Sequence, residues 1–107
     1  MKKLLFFVLF AISCLANAQS NKPVQQCLLT GQIYMSAAGF RDAYRSPQQS
    51  LEYINQNWKN ANLNQQVVKN IINSVYFNPA FQGVSGTTLY RIYVDDCTNP
   101  KPKYQPV

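Results

Sequence analysis

Residues 41–51, RDAYRSPQQSL, contain the clearest helix start in the chain, and the segments on either side are interpreted from it. Ser46 is a good N-cap, Pro47 suits the first helical position, and Gln49 stands where the partner in a capping box belongs. A helix, the second in the chain, is therefore predicted from this cap to about Asn60. Its apolar side chains share one stripe: Leu51, Ile54 and Trp58.

Apolar and small residues on both sides of this signal follow helical spacing. A first helix is predicted over 23–44, because such residues recur there at steps of three and four: Val24, Cys27, Leu28, Gly31, Tyr34, Met35 and Ala38. Downstream, Asn62 or Asn64 caps a third helix. Its apolar residues repeat every four positions: Leu63, Val67, Ile71 and Val75. Pro79 ends this helix, since the residue before a proline is pushed out of the helical region.

The segment after Ser85 has two interpretations. As a helix capped by Ser85, it places one set of residues on a single face: Thr88, Leu89, Ile92, Tyr93 and Cys97. As a strand, its residues from Thr87 to Val94 would alternate between two faces, and their β-branched content favours that interpretation. A strand needs a partner, however, and no other segment offers one. We therefore predict an all-α, four-helix domain.

Two cysteines bracket this domain, Cys27 in the first helix and Cys97 in the last. In an oxidising compartment they are predicted to form one disulfide that clasps these helices together. The alternatives are two free thiols or a metal pair, but the chain has no histidine and two isolated thiols make a poor zinc site. Closing so long a loop should stabilise the fold by about 4 kcal/mol in the chain-entropy treatment.

The N-terminal residues have the pattern of an export signal. Two lysines at 2–3 precede the apolar run LLFFVLFAI at 4–12, and 16–18 (Ala-Asn-Ala) has the small-x-small form that signal peptidase accepts. The run is too short to cross a bilayer, which takes about 20 apolar residues. Lipoprotein processing at Cys14 is a minor alternative. The chain is thus predicted to contain three parts: a signal peptide at 1–18, a helical domain at 19–97, and a flexible, basic, Pro-rich tail at 98–107.

Charge and composition exclude several classes of partner. Without the two leader lysines, eight of the ten basic residues remain, against four carboxylates, and they are spread thinly. Nucleic-acid binding normally shows a dense basic stripe with interleaved aromatics, so no nucleic-acid partner is predicted. No cofactor and no metal site are predicted, and no stable membrane insertion is expected once the leader is removed. The predicted partner is an unidentified protein in the periplasm, and the protein itself is predicted to be periplasmic or secreted.

No residue is predicted to be catalytic. General acid–base catalysis usually recruits histidine or paired carboxylates, and the only adjacent carboxylates are Asp95 and Asp96. Adjacent residues on a helix point about 100° apart, so these two do not converge on one substrate atom. A solvated face, or a salt bridge to Arg91 or a lysine, is the preferred role. An enzyme of the cell envelope is therefore disfavoured.

The candidate contact surface lies where the first helix meets the second. Arg41 and Arg45 are one helical turn apart and are predicted to form a two-pronged positive site for a partner, with Tyr44 beside them. The alternative is that a carboxylate, either Asp42 or Glu52, neutralises one arginine and fixes the corner between the helices.

Three features together resemble a broad group of small, mostly uncharacterised proteobacterial periplasmic proteins. These are the exported leader, the alanine-rich first helix that reaches the motif at 41–51, and a last helix ending in Asp95-Asp96-Cys97. Over residues 24–97 the layout also resembles, more distantly, the helical immunity proteins that neutralise type VI secretion amidases in the periplasm. The resemblance implies a helical protein that binds another protein. No inhibitory loop of those proteins maps onto this sequence, so it assigns no functional residue.

Three functions follow as hypotheses. The preferred one is an exported protein–protein interaction module, which includes an inhibitor or an immunity protein. The second resembles the small, disulfide-clasped acid chaperones of the periplasm, which change state when carboxylates are protonated; this chain has only four such side chains and no histidine. The third is a cell-envelope hydrolase, which the absence of a recognisable acid–base pair disfavours.

Overall fold

The computed structural model describes residues 23–102 and 104–107. They form four α-helices, which we number α1 (Val24–Asp42), α2 (Pro47–Asn57), α3 (Gln65–Phe77) and α4 (Gly86–Thr98), with a short 3₁₀ helix (Pro79–Phe81) before α4. The all-α prediction is confirmed, and the segment after Ser85 is helical. The predicted leader, with Cys14, lies outside the described residues. None of the described helices is long and apolar enough to cross a membrane.

Side-chain caps set where these helices begin. The Ser46 Oγ accepts from the Gln49 amide at 3.2 Å, and the Gln49 side chain accepts from the Ser46 amide at 2.9 Å, which completes the predicted capping box. At α3 the cap is Asn64, whose Oδ1 accepts from two amides of the first turn. Asn62 instead lies in the preceding loop with a φ of 53°, a conformation that asparagine tolerates better than most residues. Ser85 caps α4 as predicted.

Helix α1 is the central element, and each of the other three helices packs against it. The hydrophobic core lies between them and draws on all four helices: Ile33, Ala37 and Ala38 from α1, Ile54 from α2, Val68, Ile71, Ile72 and Val75 from α3, and Leu89 from α4. Helices α2 and α3 also contact each other, whereas α4 packs chiefly along α1. The contact between α1 and α4 therefore decides whether the last helix stays in place.

A disulfide and a close helix approach hold α4 against α1. Cys27 and Cys97 are bonded, with 5.6 Å between their Cα atoms, which confirms the predicted clasp. One turn further along α1, Gly31 is buried and lets α4 come close. Further along the same two helices, the rings of Tyr34 and Tyr93 stack at a centroid distance of 3.7 Å. This aromatic pair extends the contact between α1 and α4 beyond Gly31.

Replacing Gly31 with alanine is expected to destabilise the protein by about 1–2 kcal/mol. The added Cβ would lie 2.6 Å from Val94 Cγ2 and 3.0 Å from Tyr90 Cδ2, so α4 would have to move away from α1. Such overpacking costs about 1–3 kcal/mol, and the better helix propensity of alanine offsets part of that. Urea unfolding followed by circular dichroism measures the difference.

The same substitution at Gly39 is the matched control. Gly39 is on the same helix but is exposed, and a Cβ there would meet nothing within 4 Å. Gly39→Ala should therefore stabilise the protein by about 0.5–1 kcal/mol through helix propensity alone. Equal effects of the two substitutions would show that α1 and α4 do not pack this closely.

Candidate functional site: the α1–α2 corner

The chain reverses between α1 and α2 through residues 42–46, which we call the α1–α2 corner. Two backbone hydrogen bonds close the end of α1: the Tyr44 amide donates to the Arg41 carbonyl oxygen at 3.0 Å, and the Arg45 amide donates to the Phe40 carbonyl oxygen at 2.8 Å. This is the Schellman arrangement, in which the residue just past the helix takes a left-handed conformation. Tyr44 occupies that position with a φ of 60°.

Tyr44 is an unusual residue for this position. Glycine is preferred there, because a left-handed conformation brings the Cβ of any other residue close to its own backbone, at about 1–2 kcal/mol. The Tyr44 side chain is also 98% exposed, so no packing of the ring compensates for that strain. Residues held in rare backbone conformations occur preferentially at binding and active sites, which makes Tyr44 a candidate contact residue.

Two hydroxyl groups fix the backbone on the far side of Tyr44. The Tyr76 hydroxyl, from α3, donates to the Arg45 carbonyl oxygen at 2.7 Å and also lies 3.2 Å from the Ser46 carbonyl oxygen. Because its proton is directed there, it accepts from the Ser50 hydroxyl at 2.9 Å. Ser50 is fully buried in α2. These hydrogen bonds link α3, α2 and the backbone that follows Tyr44.

The Arg41 side chain turns inward and fixes the corner from the other side. The side chain is only 11% exposed. Nη1 donates to the carbonyl oxygens of Val75 at 3.1 Å and Phe81 at 2.9 Å, and Nη2 donates to that of Val84 at 2.6 Å. One arginine therefore ties the end of α1 to the end of α3, to the 3₁₀ helix and to the residue just before the α4 cap.

The sequence explains why the Val75 carbonyl needs a donor from elsewhere. In an α-helix the Val75 oxygen would accept from the amide of residue 79, but Pro79 has no N–H. The Phe81 oxygen also accepts from the Val84 amide at 3.2 Å, so Arg41 is its second donor, and Val84 lies just before the α4 cap, outside the helix. The Arg41 guanidinium supplies the donors, and Asp42 Oδ1, 3.0 Å away, balances its charge.

The three residues predicted to contact a partner therefore differ in exposure: one is largely buried and two are exposed. Arg41 is held inside and is not one prong of an exposed pair, because its donors are used on backbone oxygens. The alternative, in which Asp42 neutralises an arginine and fixes the corner, matches what is observed for Arg41. Tyr44 and Arg45 remain exposed. Among the described residues, no carboxylate lies within 4.0 Å of the Arg45 guanidinium.

Sequence reasoning overlooked two residues that support the corner. They are Tyr76 and Ser50, to which the sequence patterns assigned no role at the corner. For Arg41, a signal was present: a helix whose end is followed by proline leaves a carbonyl without a donor, and that carbonyl needs a side chain from elsewhere. Which side chain would reach it depends on how α1 packs against α3.

Outside the corner, Tyr34 and Asp95 have defined surroundings. Burial raises the pKa of the Tyr34 phenol well above its usual value, and the stacked Tyr93 adds to the rise, so Tyr34 stays a neutral phenol at physiological pH. Asp95 pairs with Lys101 at 3.8 Å on the surface. Within the described part of the chain, no three metal-binding side chains of the Asp, Glu, His or Cys type lie together.

Comparison with known proteins adds no assignment: no protein family, no curated protein and no solved structure matches this chain. The function is therefore argued from the geometry of the corner.

Proposed function

We propose that this protein is an exported protein–protein interaction module and that the α1–α2 corner is its contact surface, with Tyr44 and Arg45 as the contacting side chains. The observation that carries the proposal is the conformation of Tyr44. Its ring is almost wholly exposed, yet it occupies a backbone position that glycine would fill with less strain. A role in binding accounts for a side chain that stability alone would not favour.

The chemistry of the corner suits a protein partner. Tyrosine and arginine are the side chains most enriched at the energetically dominant positions of interfaces, along with tryptophan. Tyr44 offers a large ring with a polar tip, and Arg45 offers a cation with no carboxylate partner in the described chain. The partner surface is therefore expected to contain an apolar pocket for the ring with a carboxylate beside it.

The corner is also ordered before any partner arrives. The hydroxyl of Tyr76 fixes the backbone after Tyr44, and the guanidinium of Arg41 fixes the helix end before it. A contact residue that is already held in place loses little conformational freedom on binding, which raises affinity without any new contact. This rigidity fits an inhibitor or an immunity protein, which must bind its target tightly.

An oxidising compartment is part of the proposal. The Cys27–Cys97 disulfide supports it, because such bonds persist chiefly outside the cytoplasm. The export signal pattern at 1–18 supports the same location from the sequence. Expression in the producing bacterium, followed by fractionation and mass spectrometry of the N-terminus, tests this part: a mature chain beginning at Gln19 in the periplasm or medium is expected, and an intact leader in the cytoplasm would contradict it.

Replacing Tyr44 with glycine should raise the stability of the protein while it weakens binding to the partner. The substitution relieves the left-handed strain without moving the backbone, and the greater chain entropy of glycine offsets part of the gain, so the free energy of unfolding should rise by about 0.5–1 kcal/mol. Partner binding should fall at least tenfold, as expected when an anchoring aromatic is removed. Urea unfolding and affinity capture from an envelope extract give the two readouts.

Matched controls make this test specific. Tyr104→Ala removes another highly exposed tyrosine, and Arg91→Ala removes another exposed arginine, both far along the chain from the corner. Captured protein should be lost with Tyr44→Gly and reduced with Arg45→Ala, and it should be retained with both controls. Equal capture by all four variants, or none by the oxidised wild type, would exclude the corner as the contact surface. Where the captured protein is an enzyme, inhibition that requires Tyr44 identifies the module as an inhibitor.

A further inference from the structure

A cleft of about 200 Å³ lies between α2 and α3, and it begins where the α1–α2 corner ends. We call this feature the α2–α3 cleft. A cavity of about 150 Å³ holds a benzene-sized group, so the cleft has room for one apolar side chain. Its lining combines apolar side chains that are buried or half-buried, Pro47, Leu51 and Ile72, with exposed polar ones, Gln48, Lys69 and Asn73.

Hydrogen bonds on either side of Leu51 fix the spacing between α2 and α3. Just before it on α2, the Ser50 hydroxyl lies 2.9 Å from the Tyr76 hydroxyl of α3. One turn after it, the side-chain amides of Asn55 and Gln65 exchange two hydrogen bonds, each of 2.9 Å. Because both contacts join α2 to α3, the cleft has its shape before any partner arrives. A side chain that enters it therefore meets a preformed site and loses little affinity to rearrangement.

Lys69 gives the cleft a positive charge that the protein itself does not neutralise. Helix α3 contains no carboxylate, and α2 contains one, that of Glu52. Among the described residues, no carboxylate oxygen lies within 4.0 Å of the Lys69 ammonium group, and the same holds for the Arg45 guanidinium at the corner. A cation covered by a partner loses hydration, and a carboxylate on that partner compensates for the loss. This face of the protein therefore calls for an acidic partner.

An acidic residue beside an apolar one meets both requirements of the cleft. The apolar side chain is accommodated by Leu51 and Ile72, and the carboxylate pairs with Lys69, the only charged residue of the described chain that lines the cleft. The amides of Gln48 and Asn73 supply donors and acceptors for the backbone that carries these two side chains. A basic segment would place like charges together, which is unfavourable.

We propose that the α2–α3 cleft binds an apolar side chain of the protein partner together with the aspartate or glutamate next to it, whose carboxylate pairs with Lys69. This inference rests on the proposed protein–protein interaction function and adds the chemistry of the partner. Arg45 at the corner and Lys69 in the cleft then bind carboxylates of one acidic surface, and Tyr44 and the cleft each contact an apolar part of it.

Titration of the isotope-labelled, oxidised mature chain with blocked peptides, followed by NMR, tests the proposal with defined ligands. Acetyl-Gly-Leu-Asp-Gly-amide carries both groups, its Leu-Asn analogue lacks the charge, and its Ala-Asp analogue lacks most of the apolar side chain. The amide signals of Leu51, Lys69 and Ile72 should shift with the Leu-Asp peptide. The Kd should be about three- to fivefold higher for the Leu-Asn peptide, as expected for one exposed ion pair, and at least about tenfold higher for the Ala-Asp peptide.

Substitution of the lysine identifies the group that the peptide carboxylate meets. Lys69→Gln keeps a good helix former at an exposed position, so the variant should fold. It should weaken binding of the Leu-Asp peptide about three- to fivefold and leave the Leu-Asn peptide unchanged, because the difference between the two peptides depends on that charge. Lys59→Gln removes another exposed lysine, one that lies outside the cleft, and should bind both peptides as the wild type does.

The outcomes separate this inference from the corner proposal. Tyr44→Gly should bind the Leu-Asp peptide as tightly as the wild type, whatever it does to capture of the partner. Equal binding of the Leu-Asp and Leu-Asn peptides would overturn the cleft proposal, and so would the absence of shifts at the residues that line the cleft. In either case, capture that requires Tyr44 would still support the corner as a contact surface.

Discussion

Arg41→Ala is expected to lower the free energy of unfolding by about 3–4 kcal/mol. The substitution removes the Arg41 hydrogen bonds to three part-buried backbone oxygens, those of Val75, Phe81 and Val84. The Phe81 oxygen keeps its bond from the Val84 amide at 3.2 Å. A hydrogen bond to a charged donor contributes about 1.5–3 kcal/mol, and water entering the vacated space recovers part of the loss. Because the three oxygens belong to the end of α3, the 3₁₀ helix and the entry to α4, the whole connection should loosen. Urea unfolding followed by circular dichroism measures the change.

Two further variants show whether the shape of the guanidinium matters. Arg41→Lys retains the charge but not the planar fork that reaches several oxygens at once, so it should recover less than half of the lost stability. Arg45→Ala removes the neighbouring exposed arginine and should change stability by no more than about 0.5 kcal/mol. If Arg41→Ala behaved like Arg45→Ala, the inward orientation of Arg41 would be wrong. Hydrogen exchange should also show faster opening at Val84 and Ser85 in Arg41→Ala.

Breaking the disulfide is expected to lower the free energy of unfolding by about 4 kcal/mol. The bond joins residues 70 apart in sequence, and in the chain-entropy treatment a loop of that size restricts the unfolded chain by about this amount. Domains of this size have total stabilities of about 5–15 kcal/mol, so a large share would be lost. Because α4 packs chiefly along α1, its C-terminal half should be the first part to separate. Thermal unfolding of Cys27→Ala, Cys97→Ala and the double variant, compared with the oxidised wild type, measures the loss.

The three cysteine variants contain their own control. Either single substitution breaks the same bond, so each should destabilise the protein nearly as much as the double variant does. Additive effects of the two substitutions would mean that the cysteines act independently and are not bonded. Reduced wild-type protein should match the double variant, apart from the small change in side-chain volume at the buried Cys27.

The helices of this protein follow closely from local sequence. The capping box at Ser46 and Gln49 forms as predicted, and Ser85 caps a helix even though the residues after it have β-branched character. Caps can be predicted because their bonds join residues two or three positions apart. The disulfide could be predicted for a different reason: once Cys14 was assigned to the predicted leader, only one pairing remained.

The candidate site could be predicted only in part. Of the three predicted contact residues, Tyr44 and Arg45 are exposed as expected, whereas Arg41, which the sequence pattern assigned to the surface, turns inward. The spacing of Arg41 and Arg45 places them one turn apart on an ideal helix, whereas α1 ends at Asp42 and the chain then turns at Tyr44. The prediction that these residues contact a partner remains a prediction.

The sequence by itself therefore determined the number of α-helices, the caps at Ser46 and Ser85, and the disulfide between the first and the last helix. The caps depend on residues close together in the chain, and the two remaining cysteines allow only one pairing. The tertiary structure alone decided that Arg41 turns inward, toward the ends of α3 and the 3₁₀ helix. Arg41 reaches oxygens that lie 34, 40 and 43 residues away in sequence. No local pattern specifies such contacts, since they form only once α1, α3 and α4 have packed around a common core.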